Sequence, residues 1–272
     1  MQEWSLNIPP SRQTPGNIRL HLLPPSSLNL TMVSTSVRSA IVVASALAPG
    51  SVAQLFTVNC APLTLHRGDP ILFPGVMSPH VHAVVGGTRF ALNLTNEQAR
   101  QAKATTCDKR LDKSNYWQPQ LYHQRRDGRF ELVEMQGIMA FPAVGDYNTG
   151  VCPQSHPVAI LSVFFEFFYN TRAVKDFNRW VWAMGDVTGY GLHGDYLNGW
   201  ADQGRLDRAV ETCTGPNGVN DAGCSLNVGP DGPGRSSRQP VEVAPPNEEI
   251  GFNGPLHKLP GDNPVTGHPV QG

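Results

Sequence analysis

Two short spacings hold the side chains best suited to chemistry in this 272-residue chain. His80-Val81-His82 sets two imidazoles at i and i+2, and His193-Gly194-Asp195 repeats the spacing with a carboxylate. On a strand, residues two apart share a face, so each pair is half of a site. Together they make a three-histidine, one-carboxylate set suited to Zn, Mn or Fe. The competing reading is that these histidines hydrogen-bond loops and line a polar groove. Acid–base chemistry is a further option, with Glu166, Asp186, Asp195 and His156 as candidates. Glu166 stands in an otherwise apolar run, where burial would raise its pKa as a general acid requires. A salt bridge to an arginine is the structural alternative for it.

Aromatic residues accompany these polar groups: Tyr116, Trp117, Tyr190, Tyr196 and Trp200. Aromatic rings beside amides, carboxylates and imidazoles grip sugar rings by stacking and hydrogen bonding. The expected binding set is therefore Asn115, Trp117, Asp186, Tyr190, Asn198 and Trp200; core packing is the alternative for Trp117 and Trp200. Most of these groups crowd into GDVTGYGLHGDYLNGW, residues 185–200. The chain has no GxSxG, phosphate-binding or dinucleotide fingerprint.

These residues must be positioned by short elements, since 27 glycines and 24 prolines interrupt the chain. VHAVV at 81–85 is a short strand. Residues 95–106 form a short helix, with Thr95 as N-cap and Gln98 closing a capping box. Two strand-like runs flank Asp127-Gly128, a favourable hairpin turn. VAILSVFFEFFYN at 158–170 is apolar on both faces and reads as a buried central strand. RWVWAM at 179–184 is another strand. Asp202 caps a helix over 203–213 whose inner face is Leu206, Ala209, Val210 and Cys213. The expected fold class is mainly β, sandwich-like, with one or two short helices.

The ends read differently. Met32 opens a stretch proportioned as a secretory signal, with the apolar run SAIVVASALA at 39–48 and small residues Ser51 and Ala53 ahead of a cleavage point. That run is too short to span a bilayer, which takes about 20 residues. Residues 1–31 are then a spurious or unstructured extension, 32–53 a signal peptide and 54–225 one β-rich domain. Residues 226–272 are rich in Gly and Pro and are expected to form a disordered tail. A net charge of −1 gives no basic field for nucleic acid. An exported chain would oxidise its cysteines. There are five, Cys60, Cys107, Cys152, Cys213 and Cys224, so one is left over. Asn93-Leu94-Thr95 is a glycosylation sequon.

Three blocks resemble the secreted fungal family known as domain of unknown function nineteen-ninety-six, whose members often carry a WSC carbohydrate-binding module. They are DPILFPGVMSPHVHAVVGGTRF (Asp69–Phe90), DKSNYWQPQLY (Asp112–Tyr122), and the stretch from CPQSHPVAILSVFFEF to GDVTGYGLHGDYLNGW (Cys152–Trp200). The resemblance implies secretion, a β-rich domain and a cell-wall or extracellular polysaccharide setting. The polar positions it matches are His80, His82, Lys113, Asn115, Trp117, His156, Glu166, Asp186, His193, Asp195 and Asn198. Family members have several dozen more residues between the second and third blocks, with further cysteines and an S-H-x-x-Y-P motif. Here FELVEMQGIMA runs straight into FPAVGDYNTG, which implies an internal deletion near Ala140/Phe141.

The expected function is a carbohydrate-active enzyme of hydrolase or lyase type, acting outside the cell on polysaccharide; an internal deletion in the protein itself would leave this form of low stability and inactive. His80, His82, His156, Glu166, His193 and Asp195 are its catalytic candidates, and a divalent metal on His80, His82 and His193 is one option for a cofactor. The alternative is a non-catalytic wall-binding or structural protein using the same residues.

Overall fold

The computed structural model describes residues 56–144, 154–155, 161–174, 179–213, 221–227 and 248–267. The signal peptide and extension expected over residues 1–53 lie outside the described residues, as do His156 and Cys152. Three small antiparallel sheets carry the fold. The first joins β1 (Val58–Cys60), β7 (Met135–Val144) and β8 (Leu161–Tyr169), in that order. The second runs β10 (Asp195–Leu197), β4 (Asn115–Pro119), β3 (His82–Gly86), β2 (Pro62–His66). The third runs β6 (Phe130–Leu132), β5 (Leu121–Gln124), β9 (Trp180–Trp182). Helix α1 spans Asn96–Arg100 and α2 spans Gln203–Thr212.

The first two sheets meet face to face. Val58, Ile138, Ala140, Phe165 and Phe167 from one pack with Ala83, Val85 and Tyr116 from the other, and Leu206 and Ala209 of α2 join them. The opposite face of the second sheet is also covered: Leu63, Val84 and Trp117 pack with Leu94 and with Ala99 of α1. Strands β3 and β4 are therefore buried along their whole length. A strand covered on both faces has no solvent side on which to place polar residues. This is why HAVVG carries no alternation beyond its first histidine. The disulfide Cys60–Cys107 ties β1 to the segment before β4, and Cys213–Cys224 ties the end of α2 to residues 221–227.

Several local expectations are met in detail. Thr95 accepts from the Gln98 backbone while the Gln98 side chain accepts from the Thr95 backbone, a complete capping box. The Asp202 side chain caps α2 by accepting from the Arg205 backbone. Strands β5 and β6 flank Asp127-Gly128 as a hairpin.

Two expectations need correction. Strand β8 is not central: it lies at the end of its three-strand sheet among the described residues. Its odd positions Val163, Phe165, Phe167 and Tyr169 pack inward, while Phe164, Glu166 and Phe168 face solvent. The uniformly apolar run hid this, because Phe164 and Phe168 remain exposed. The other correction concerns the C-terminus. Residues 248–267, within the stretch expected to lack a core, form a strap docked on the third sheet. Ile250 and Leu259 are fully buried against Val81, Tyr122, Phe130 and Val181. Leu256 bridges to Phe130, and Tyr122 Oη donates to the Ile250 carbonyl at 3.0 Å. A few well-spaced apolar anchors hold the strap, and overall composition does not register them. Ile250→Ala should lower the free energy of unfolding by roughly 2–4 kcal/mol in a denaturant titration; an unchanged midpoint would mean that the strap is not docked.

Candidate functional site

His82 opens β3, with His66 of β2 across from it on one side and Pro119 of β4 on the other. Val84, two residues along, faces Trp117 and α1, so His82 shares that outer face of the sheet. Asp195 opens β10 directly across from Trp117. The two i,i+2 pairs therefore flank β4 on one face of one sheet. Gly194, between His193 and Asp195, turns to the other face, where a Cβ would stand 2.5 Å from the Phe165 ring. Only glycine fits between the two functional residues at that approach.

The loop before β10 is built by Asp186. Its Oδ1 accepts from the Thr188 backbone at 2.8 Å and from the Thr188 hydroxyl at 2.6 Å, and its Oδ2 accepts from the Gly191 backbone at 2.8 Å. Gly191 in turn accepts from Nδ1 of His193 at 2.8 Å. The carbonyl can only accept, so Nδ1 carries the proton and Nε2 of the neutral ring keeps a lone pair. The C-terminal strap holds the segments around the site. Glu248 pairs with Arg67 at 2.8 Å, Asn263 donates to the Pro79 carbonyl at 2.8 Å, and Thr266 bridges to Asp186.

The ring centroids of His80 and His82 lie 4.4 Å apart, and that of His193 lies 5.3 and 5.8 Å from them. One ligand atom from each of the three histidines falls within 4.8 Å of the other two. The same holds for a second, overlapping trio of Asp69, His82 and Asp195. Nε2 of His193 is 4.0 Å from Oδ2 of Asp195. Asp69 is buried, and its Oδ1 accepts from the backbones of Ile71 and Leu72 at 3.0 and 2.9 Å. Nε2 of His80 is buried without a hydrogen-bond partner among the described residues, Oδ2 of Asp195 has only the His193 ring at 4.0 Å, and His82 has only the Gly68 backbone beside it.

Burial sets the charge states. It pushes the His80 imidazole down to about 4, helped by His193. It pushes His82 well below the ordinary range, helped by His80 and His193, with the Gly68 backbone weakly opposing. It raises the Asp195 carboxyl to about 6, reinforced by Asp69 and opposed by His193. At neutral pH the site thus offers uncharged imidazoles on His80 and His82 beside the Asp195 carboxylate. A cavity of about 520 Å³ opens elsewhere, between His123, Arg125, Glu131 and Ala173, and none of these five residues lines it.

Of the expected catalytic residues, the structure brings together His80, His82, His193 and Asp195. Glu166 is exposed on the solvent side of β8, because the strand buries only its odd positions. His156 lies outside the described residues. Most of the expected sugar-binding set is structural. Trp117 and Trp200 are fully buried in the core, Trp200 edge-on against Phe56. Asn115 is buried and donates to the Val85 and Gly87 carbonyls. Asn198 bonds Gln203 and the Trp200 backbone at the start of α2. Asp186 organises its loop; burial pushes its carboxyl up, but the hydrogen bonds from Thr188 and Gly191 outweigh that and lower it. Tyr190 alone of the set is largely exposed, at 81%. Asn93 of the sequon is exposed just ahead of α1. Asp69 was not among the expected site residues: Asp-Pro reads only as a turn opener, and nothing in its spacing points to His82.

An antiparallel β domain with a half-buried histidine–carboxylate centre is the class that this fold and site define. A family model described as Domain of unknown function (DUF1996) matches residues 69–141 and 134–200, a span running from Asp69 to Trp200 that includes all five site residues. Over this span the chain is similar to that family. No curated protein and no solved structure matches the chain.

The charge states make stability depend on pH. His80 and His82 titrate lower in the fold than their ordinary 6.5, so the unfolded chain takes up their protons first. Stability present above about pH 6.5 is therefore lost as pH falls toward 4. Asp195 works the other way over part of that range, because the folded state holds its proton up to about 6. In chelator-treated protein, His82→Gln should flatten the loss between pH 6.5 and 4, and Asp195→Asn should steepen it. Denaturant titrations at several pH values check both.

Proposed function

We propose that the protein is a secreted carbohydrate-active enzyme, of hydrolase or lyase type, acting on cell-wall or extracellular polysaccharide. The observation that supports it is the convergence of His80, His82, His193, Asp69 and Asp195 at one edge of the second sheet, with buried groups that the protein satisfies poorly. A fold holds such groups unpaired only at a cost, and that cost is characteristic of sites made for a ligand or a reaction. His193 and Asp195 are each about a quarter exposed, so a substrate can reach them. Both hydrolysis and elimination at a sugar need a proton moved at a fixed point. The Nε2 lone pair of His193 and the neighbouring Asp195 carboxyl supply that capacity.

Secretion is supported by the two disulfides, which belong to oxidising compartments. It is supported also by the signal-like segment at 32–53. Among the described residues no helix is long and apolar enough to cross a membrane. The exposed Tyr190, on the loop that carries His193, favours the second reading, a non-catalytic glycan-binding protein, since a lone ring on a glycine-rich loop can stack on a sugar.

An internal deletion near Ala140/Phe141 belongs to the same proposal. The family model matches in two pieces that overlap at residues 134–141. The proposed junction lies inside β7, where Ala140 pairs with Phe165 and Phe141 with Phe164 in a register that holds from Gly137 to Val144.

Incubated with wall polysaccharides, the protein should release reducing ends or unsaturated sugars. His193→Ala should cut that release by at least about a hundredfold while pull-down by the polysaccharide persists. Binding without any product would instead establish the glycan-binding reading. A chain with the missing segment restored should melt higher than this one; equal melting temperatures would contradict the deletion.

A further inference from the structure

We infer that His80, His82, His193 and Asp195 form a binding site for one divalent transition-metal ion of the Zn²⁺ class, with Asp69 placed to hold a metal-bound water. This deepens the proposed enzymatic reading, because with Nε2 of His193 and the Asp195 carboxylate on the ion the proton would be moved by the metal-bound water that Asp69 holds; it rests on that reading for biological purpose, though not for the binding itself.

Four independent features of the geometry carry the assignment. First, the donors converge from separate segments. His80 and His82 come from the entry to β3, His193 and Asp195 from the entry to β10, and Asp69 from the β2–β3 connection. Donor atoms around a Zn²⁺ ion at about 2.0–2.1 Å lie roughly 3.3 Å apart in a tetrahedron. The histidine donors here fall within 4.8 Å of one another, so closing on an ion takes side-chain rotation and no change of fold.

Second, the protein itself satisfies the donors poorly. Nε2 of His80 is buried and unpartnered among the described residues, Oδ2 of Asp195 has only the His193 ring at 4.0 Å, and His82 has only the Gly68 backbone beside it. An ion would satisfy them at once and offset the cost of burying them.

Third, His193 already has the outer support typical of a metal ligand. Its Nδ1–H donates to the Gly191 carbonyl, which fixes the tautomer and leaves Nε2 as the donor. Gly191 is itself held by Asp186. Asp69 is braced in the same manner by the Ile71 and Leu72 backbones. That bracing keeps one oxygen occupied, which suits Asp69 to hydrogen-bonding a coordinated water rather than to chelation.

Fourth, charge and hardness agree. Carboxyl groups of Asp69 and Asp195 beside the imidazoles suit a dication, and a mixed nitrogen–oxygen set with no thiolate favours Zn²⁺ and its first-row neighbours over Ca²⁺ or Mg²⁺. The other ligand-type cluster, Cys60, Cys107 and Asp112, is closed to a metal because both sulfurs are in a disulfide. His80 and His193 are only half-buried, so the site keeps an open side, as a catalytic zinc site does and a structural one does not.

The test uses the full chain, stripped with a chelator and titrated with Zn²⁺ by calorimetry and with Co²⁺ by visible absorption. One ion should bind per chain, and Co²⁺ should give the intense d–d bands of a four- or five-coordinate nitrogen–oxygen site. His80→Ala and His193→Gln should each weaken binding at least about tenfold, and Asp69→Asn should leave the stoichiometry at one. Circular dichroism confirms that each variant is folded. No binding at micromolar Zn²⁺, or variants that bind like the parent, would overturn the site. An ion bound with no product from any polysaccharide would leave the metal site standing and remove the enzymatic reading. Loss of product in His193→Ala without any bound ion would do the reverse.

Discussion

The constraint on which the rest depends is the burial of the second sheet on both faces. The first sheet and α2 cover one side of β3 and β4, and Trp117 with α1 and Leu94 covers the other. Apolar side chains fill the middle of β3, and the polar cluster gathers where β3 and β10 begin. His82 stands at the first residue of β3 and Asp195 at the first residue of β10. The strands run antiparallel through β4, and their register places these two entries on the same end and face. The rigid apolar layer thus sets the positions of the polar cluster, and the cluster needs no scaffold of its own.

Two irregular segments complete the arrangement. The glycine-rich run at 185–200 is a turn wound around the Asp186 carboxylate, and it fixes His193 through Gly191. The strap at 248–267 lies outside the family-matched span, yet it holds Arg67, Pro79 and Asp186, each next to a segment of the site. The domain therefore depends on chain beyond the recognised family region to hold its functional loops in place.

What the sequence made legible follows from range. Interactions within a few residues were readable: the capping box at Thr95, the Asp202 cap, the hairpin at Asp127-Gly128, and the same-face logic of the two i,i+2 pairs. Pairing between distant segments was not. Nothing in FFEFF says which face is covered, so Glu166 reads as buried when it is exposed. Trp117 and Trp200 read equally as sugar platforms or as core, because an aromatic beside a polar residue looks alike in a core and on a surface; only tertiary packing assigns both to the core. Asp69 is invisible to spacing because it reaches its partners through the fold.

The central claim is that the three histidine rings share one small space. The most direct test is proton NMR of the imidazole rings in the intact chain. The account predicts nuclear Overhauser contacts among His80, His82 and His193, whose centroids lie 4.4 to 5.8 Å apart. A His193 ring with no contact to either of the other two would contradict it.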